Sequence, residues 1–348
     1  MRLCSLVCNN GEIMKPLFFK QNRVRRIYTG GALFGEFFND DSTDGYFPEE
    51  WICSTTKALN EGSTEEKEGI SVLESGEYFD DYLEAHKQEI LGDRDEIGIL
   101  VKILDSSIRL PVQCHPDKEF SRNHFNSEHG KAESWVVLGT RENACIYFGF
   151  KEKISLEDFD NALKAGDNEL LPLLNRIPVK IGDVFFIPAK AVHAIGAGCL
   201  ILETQEPTDF TIQPERTCGD YVLSDNEMYL GLAPEIAMSC FDMNLVGNEA
   251  EKIARKTAKK IGNKESLITD ADTNCFNVNR YVLNNESSEN LIGCAIYVVT
   301  EGEGYLVGNE YSRPIKKGDY FFMPDCLCGL YHIKTGTNIQ IVQCLNRE

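Results

Sequence analysis

The chain has 348 residues, 42% hydrophobic and 26% charged, the proportions of a water-soluble globule long enough for two domains. A formal net charge of −20 argues against nucleic acid or an anionic membrane surface as a partner. No apolar run approaches the roughly 18 residues of a membrane span, and the opening MRLCSLVCNN does not read as a signal peptide, so a cytoplasmic location is expected.

In chain order, residues 16–38 read as an edge strand, a Gly-Gly turn and a short helix, and 51–57 (WICSTTK) as a buried strand running into a polar turn. Apolar residues at three- and four-residue spacing predict an amphipathic helix over 78–91. A strand series begins at 97–104. Residues 155–165 read as a helix capped by Ser155 with Asp158 three residues on, and 168–176 as a second helix. From 179 the chain returns to short strands with Gly-Asp and Pro turns, spaced as an all-β sandwich or barrel requires. Residues 226–265 suggest a helical connector, and the basic run 249–262 reads as a solvated helix face. The 13 cysteines are odd in number, scattered and never spaced C-x-x-C, which predicts reduced, mostly buried thiols.

The central stretch, 113–133, reads QCHPDKEFSRNHFNSEHGKAE and lies between two predicted strands. Strand alternation puts Gln113 and His115 on one face and Cys114 on the other, and Glu133 at the entrance of the next strand can face the same interior. A third segment, VKIGDVFFIPAKAVHAIG, delivers His193 after a strand and a turn at Pro188. Two imidazoles, a carboxylate and an amide oxygen suit a divalent transition metal that keeps one position open. Asp117 and Glu203 are candidates for orienting the histidines from behind. His86, His124, His129 and His332 read as ordinary core or surface groups, with His124 and His129 in NHFNSEHG, a solvated loop.

An internal repeat sharpens this reading. The segment from Ile177 matches the segment from Arg313: Gly182-Asp183 falls on Gly318-Asp319, and Pro188 on Pro324. His193 falls on Gly329 and Glu133 on Ala295, so the second copy lacks both ligands and is expected to be structural.

Strand, Gly-Asp turn, strand, Pro, His is similar to a cupin motif, present here twice. Together with PLFF…GG, WICSTTKA, VQCHPDKEF, GKAESW and IPVKIGDVFFIPAKAVHAIGAGCLILETQEPTD, it resembles the class I phosphomannose isomerases of the shorter bacterial type over most of the chain. The resemblance implies a mainly β protein of two cupin-like sandwich or barrel (jelly-roll) domains, with a few helices packed at the side and between them. A metal-binding unit would span 1–225 with a helical insertion near 155–176. The connector, 226–265, would lead to a second unit, 266–348, without metal. It implies one Zn2+ per chain, or another divalent transition metal, on His115, Glu133 and His193, with Gln113 as a fourth ligand. Lys131 matches a lysine that the family places at the substrate pocket.

The implied reaction interconverts mannose 6-phosphate and fructose 6-phosphate through an enediolate, with Lys131 a candidate proton carrier. Lys118, Lys131 and Arg216 are the candidate cations for the sugar phosphate. Two positions depart from the family pattern. Pro111 stands where the family has a serine, and Gln213 where it has an active-site arginine, with Arg216 three residues on. These departures keep open an isomerase of a different sugar or sugar phosphate, or a non-catalytic sugar-binding protein.

Overall fold

Extended segments with alternating apolar residues build two large antiparallel sheets that share a core. The computed structural model describes residues 14–285 and 287–347. The N-terminal stretch read above for a signal peptide lies outside the described residues. Strand β1 (Leu17–Phe18) belongs to the second sheet, while β2 (Arg23–Val24), β3 (Glu49–Ile52), β4 (Leu100–Ser106) and β5 (Glu133–Thr140) build the first. β6 (Cys145–Phe150) and β7 (Leu174–Pro178) pair beside it, β8 (Val184–Ile187) returns to it, β9 (His193–Ile195) joins β6, and β10 (Cys199–Gln205) inserts between β4 and β5. After a hairpin of β11 (Thr217–Cys218) and β12 (Tyr221–Val222), β13 (Arg255–Lys256) closes an edge, giving the order β13-β8-β5-β10-β4-β3-β2.

The second sheet takes β14 (Lys259–Ile261), β15 (Lys264–Ile268) and β16 (Phe276–Asn284) from one side. The short β17 (Glu289–Asn290) precedes β18 (Ala295–Gly308), β19 (Tyr311–Lys316), β20 (Tyr320–Met323), β21 (His332–Lys334) and β22 (Asn338–Asn346). Its main order is β1-β20-β18-β22-β16-β15-β14. Sheet membership thus crosses the boundaries drawn from the sequence: β1 joins the second sheet, and the expected connector supplies β13 to the first sheet and β14 and the start of β15 to the second. The mainly β, two-unit architecture is as expected.

Strand parity decides which side chains see which core. Trp135, Val137, Phe185, Ile187 and Ile201 fill the interior of the first unit. Their neighbours Val136, Val184, Phe186, Leu200 and Leu202 point the other way and merge with Ile296, Val298, Phe322 and Val342 of the second sheet. Thr204 Oγ1 lies 3.0 Å from Cys344 Sγ at that junction. The two sheets therefore pack back to back, and their inner faces open on opposite sides.

Several helices end where tertiary pairing outweighs local propensity. The helix capped by Ser155, Leu156–Ala165, forms as read, with Ser155 Oγ accepting from the Asp158 amide at 3.0 Å. The helix expected over 168–176 stops early: Asp167–Leu170 gives way to a tight turn at Leu171–Leu173, then to β7. Pro172 cannot continue the helical bonding, and Leu174 and Ile177 are buried against different clusters. The helix over 78–91 is split into Phe79–Ala85 and Lys87–Leu91 at His86, whose φ is −129°.

The basic run is a helix only to Ala254 (Gly247–Ala254) and strand beyond it. Arg255 ties to Asp183 at 2.9 Å over the Phe185 ring, and Lys256 to Asp272 at 2.9 Å, which holds both in sheet register. The segment expected as a loop around His124 begins as a helix, Lys118–Phe125. No disulfide joins the described cysteines to one another. Among the described residues, no helix is long and apolar enough to cross a membrane.

Candidate active site

Three segments converge inside the first unit. Residues 112–115 run extended between β9 and the Ile212 segment. Gln113 exchanges backbone hydrogen bonds with His193 (2.9 and 3.0 Å), and Cys114 with Ile212 (2.9 and 3.0 Å). Cys114 enters the apolar cluster behind, so Gln113 and His115 face the interior as strand parity requires. Arg109 fastens this segment by a forked pair to Glu215 (2.8 and 2.8 Å), and Glu215 also accepts from the Val112 amide. Past Pro116, Asp117 caps the helix Lys118–Phe125 by accepting from the Phe120 amide at 2.8 Å. The chain returns at Gly130, where an added Cβ would sit 2.7 Å from the Pro116 carbonyl. Glycine is what lets Lys131 and Glu133 approach so closely.

His115, Glu133 and His193 are buried and bring one ligand atom each within 4.8 Å of the others. His115 Nδ1 lies 2.9 Å from the Phe210 carbonyl and His193 Nδ1 2.9 Å from the Ala191 carbonyl. Each ring thereby donates from Nδ1 and presents an Nε2 lone pair to the centre. His115 Nε2 is 3.0 Å from Glu133 Oε1, and His193 Nε2 is 3.8 Å from Oε2. Lys131 Nζ stands 3.1 Å from Glu133 Oε1 and 3.2 Å from Thr211 Oγ1.

Burial, then the neighbouring His115, pushes the His193 imidazole down to about 3, and burial lowers His115 as well. Burial alone would raise the Glu133 carboxyl, but His115 and Lys131 overcome it and hold the group well below the usual range. Glu133 Oε2 is buried without a hydrogen-bond partner. An orphaned anionic oxygen facing two neutral imidazole lone pairs is what a divalent cation would satisfy.

The centre opens onto a cleft of about 410 Å3 lined by Gln113, Lys131 and Glu133 at one end. Its floor is a buried charge network. Lys102 Nζ lies 3.3 Å from Glu203 Oε1 and 3.8 Å from Glu49 Oε2, and Arg26 pairs with Glu49 at 3.0 Å and Asp209 at 2.9 Å. Trp135 Nε1 donates to Glu203 Oε2 at 3.0 Å, and Trp51 Nε1 to Glu49 Oε2 at 2.6 Å. Burial, then the charge on Glu133, raises the Glu203 carboxyl to about 7.

Comparison with known proteins gives a consistent answer. No family model matches the chain. The mannose-6-phosphate isomerase ManA of Bacillus subtilis is 31% identical over 320 residues, spanning 89% of this chain and 93% of the relative. The chain belongs to the mannose-6-phosphate isomerase family. The mannose-6-phosphate isomerase of Streptococcus mutans is 36% identical over 204 residues, 57% of this chain and 59% of its own. The crystal structure of mannose 6-phosphate isomerase from Bacillus subtilis shares the fold, with a TM-score of 0.75 at 24% identity over 95% of this chain and 99% of that one. A variant of phosphomannose isomerase from Salmonella typhimurium does so too, at 0.70 and 16% over 96% and 100%.

In this member of the family the sequence-derived residues do not all meet. His115, Glu133, His193, Gln113 and Lys131 converge. Gln213 and Pro111 line the cleft, Gln213 donating to the Glu227 carbonyl at 3.2 Å. Arg216 is not among the cleft residues: half exposed, it pairs with Asp225 at 2.6 Å and donates to the Leu223 carbonyl at 3.1 Å. Lys118 lies outside as well, 3.7 Å from Glu206. Asp117 caps a helix instead of orienting a histidine, and Glu203 touches Trp135 and Lys102 instead of an imidazole.

The cations in the cleft are Lys131, Lys102 and Arg26. Sequence reasoning missed the last two, although a lysine inside the apolar run LVKIL was a signal: it can be buried only against carboxylates.

Proposed function

We propose that the chain is a metal-dependent aldose–ketose isomerase interconverting mannose 6-phosphate and fructose 6-phosphate. The observation that carries this is the buried His115–Glu133–His193 group opening directly onto a cleft with three cations and a carboxyl that titrates near neutrality. We read the metal as zinc. A half-turn of the Gln113 amide, whose Nε2 lies 3.4 Å from His193 Nε2, would offer its oxygen as a fourth ligand. Held by His115, Glu133 and His193, such an ion would supply Lewis-acid stabilisation of negative charge developing on the substrate.

The remaining work falls to side chains. The reaction moves a proton between C1 and C2 of the open-chain sugar, leaving charge on neighbouring oxygens in between. Glu203, raised to about 7, is matched to taking and returning that proton. Lys131, held between Glu133 and Thr211, is placed to donate to the oxygen that gains charge. Arg26, with Asn60 3.1 Å from its guanidinium, offers a cation for the phosphate that Gln213 does not. Free thiols throughout the described residues support a reducing, cytoplasmic setting.

The test is a coupled isomerase assay on zinc-loaded protein with mannose 6-phosphate. Turnover that disappears on chelation and returns with zinc is expected. No turnover with zinc or any other divalent ion would refute the reading.

A further inference from the structure

The two sheets carry the same row of residues in register, and the second row has been rewritten in neutral amides. Across five adjacent strands of the first sheet, Phe185 stands opposite Trp135, Trp135 opposite Glu203, Glu203 opposite Lys102, and Lys102 opposite Trp51. In the second sheet the corresponding partners are Phe321, Tyr297, Gln343, Asn279 and Ser266. The sequence repeat gives the same alignment, since Glu133 falls on Ala295 two positions before Trp135 and Tyr297. The floor of the catalytic cleft, Glu203 and Lys102, thus has a counterpart in Gln343 and Asn279.

That counterpart also faces a cavity. It is an open cavity of about 350 Å3 lined by Gln343, Asn279 and Ser266, with Ile292, Leu345, Lys264 and Asp270. Gln343 is 1% and Asn279 6% exposed, so these are buried amides held in place and not surface decoration. Gln343 Oε1 accepts from Asn279 Nδ2 at 3.0 Å and Tyr281 at 3.3 Å, while its Nε2 donates to the Tyr297 hydroxyl at 2.6 Å.

Tyr297 stacks on Phe321 at 5.2 Å, in the register position that Trp135 holds in the first sheet. The network therefore locks the orientation of Gln343, and Asn279 and Ser266 line the space beside it. A core that served packing alone would be cheaper to build from apolar side chains.

We infer that the second barrel is a binding site for an uncharged polyhydroxylated molecule of the monosaccharide or polyol class. Gln343 is held by its own partners, while the Asn279 amide, which gives only one hydrogen to Gln343, and the Ser266 hydroxyl on the adjacent strand offer both donor and acceptor capacity, as vicinal hydroxyls require. Ile292 and Leu345 offer apolar surface for the C–H face of such a ring or chain. In the row itself the charge pair Glu203–Lys102 is replaced by neutral amides, and the two charges left in the lining, Lys264 and Asp270, are of opposite sign, so the cavity carries no net charge and favours hydroxyls over phosphate.

The experiment is saturation-transfer NMR and calorimetry on the full-length, zinc-loaded protein with D-mannose, D-fructose and D-mannitol at millimolar concentrations. The titrations are repeated with the catalytic cleft saturated by 6-phosphorylated sugar. At least one neutral probe should bind with the cleft filled. Asn279→Leu should weaken it about tenfold by removing hydrogen bonds, and Ser266→Phe should abolish it by filling the cavity. Ser266→Phe, placed nearer the rim, guards against misfolding of the buried variant, and its melting temperature and isomerase turnover should stay at wild-type values. Absence of binding by all three probes would overturn the inference. Binding that vanishes once the cleft is filled, or that survives both substitutions, would overturn it equally, because the sugar would then sit in the first barrel.

Discussion

Replacing Glu133 by glutamine tests whether this carboxylate serves the metal alone or also a buried lysine. The substitution keeps shape and removes one charge. Lys131 is 4% exposed, and its Nζ lies 3.1 Å from Glu133 Oε1. At that separation and an effective dielectric constant of about 20, the attraction is about 5 kcal/mol, which offsets much of the cost of burying the ammonium. Without Glu133 the buried ammonium keeps the Thr211 hydroxyl, 3.2 Å away, but no compensating charge at Glu133, and the expected loss is about 3 kcal/mol.

Metal binding would mask this, so wild type and variant are compared after chelation, by denaturant unfolding. Glu133→Gln should be clearly less stable than metal-free wild type, whereas His115→Ala, which also loses the ion, should lack this added loss. The double variant Glu133→Gln with Lys131→Met should recover most of the stability and none of the metal. If metal-free Glu133→Gln unfolds at the wild-type denaturant midpoint, or if Lys131→Met gives no rescue, the claimed coupling does not exist.

His115→Ala and His193→Ala should each lose bound metal by elemental analysis and keep the wild-type circular dichroism spectrum, since the apolar cores do not depend on the ion. Arg26→Ala should raise KM for the sugar phosphate by roughly 10–100-fold through loss of a charge-assisted contact, while Arg216→Ala, outside the cleft, should change turnover less than about twofold. Burial raises the Glu203 carboxyl, so kcat/KM should fall toward acid pH as this base takes up a proton, and Glu203→Gln should lower turnover by about 10^2–10^4-fold and remove this limb. Because the folded-state value is raised above the ordinary 4.5, burial of Glu203 favours the folded chain at acid pH and loses that contribution as the pH rises through about 7; the Gln variant should show a flatter stability profile there.

The metal group was legible before any coordinates because each ligand sits in a short motif whose geometry is local. Parity along 113–115 puts Gln113 and His115 on one side, Glu133 begins a strand, and His193 follows a Pro turn. The helix capped by Ser155 was legible for the same reason. Helices over 168–176 and 249–262 were misread because their fate depends on a strand elsewhere: β7 is recruited by β6, and Arg255 by β8 and Asp183.

The cleft floor was invisible to the sequence on the same principle. Arg26 meets Asp209 across 183 positions, and Lys102 meets Glu203 only because β4 and β10 pair in that register. Arg216, three residues from an expected active-site position, turns out to Asp225 instead. Residue type and short-range alternation decide what a segment can ligate. Which distant charges share its low-dielectric surroundings is set by sheet order and register, and those exist only once the strands have packed.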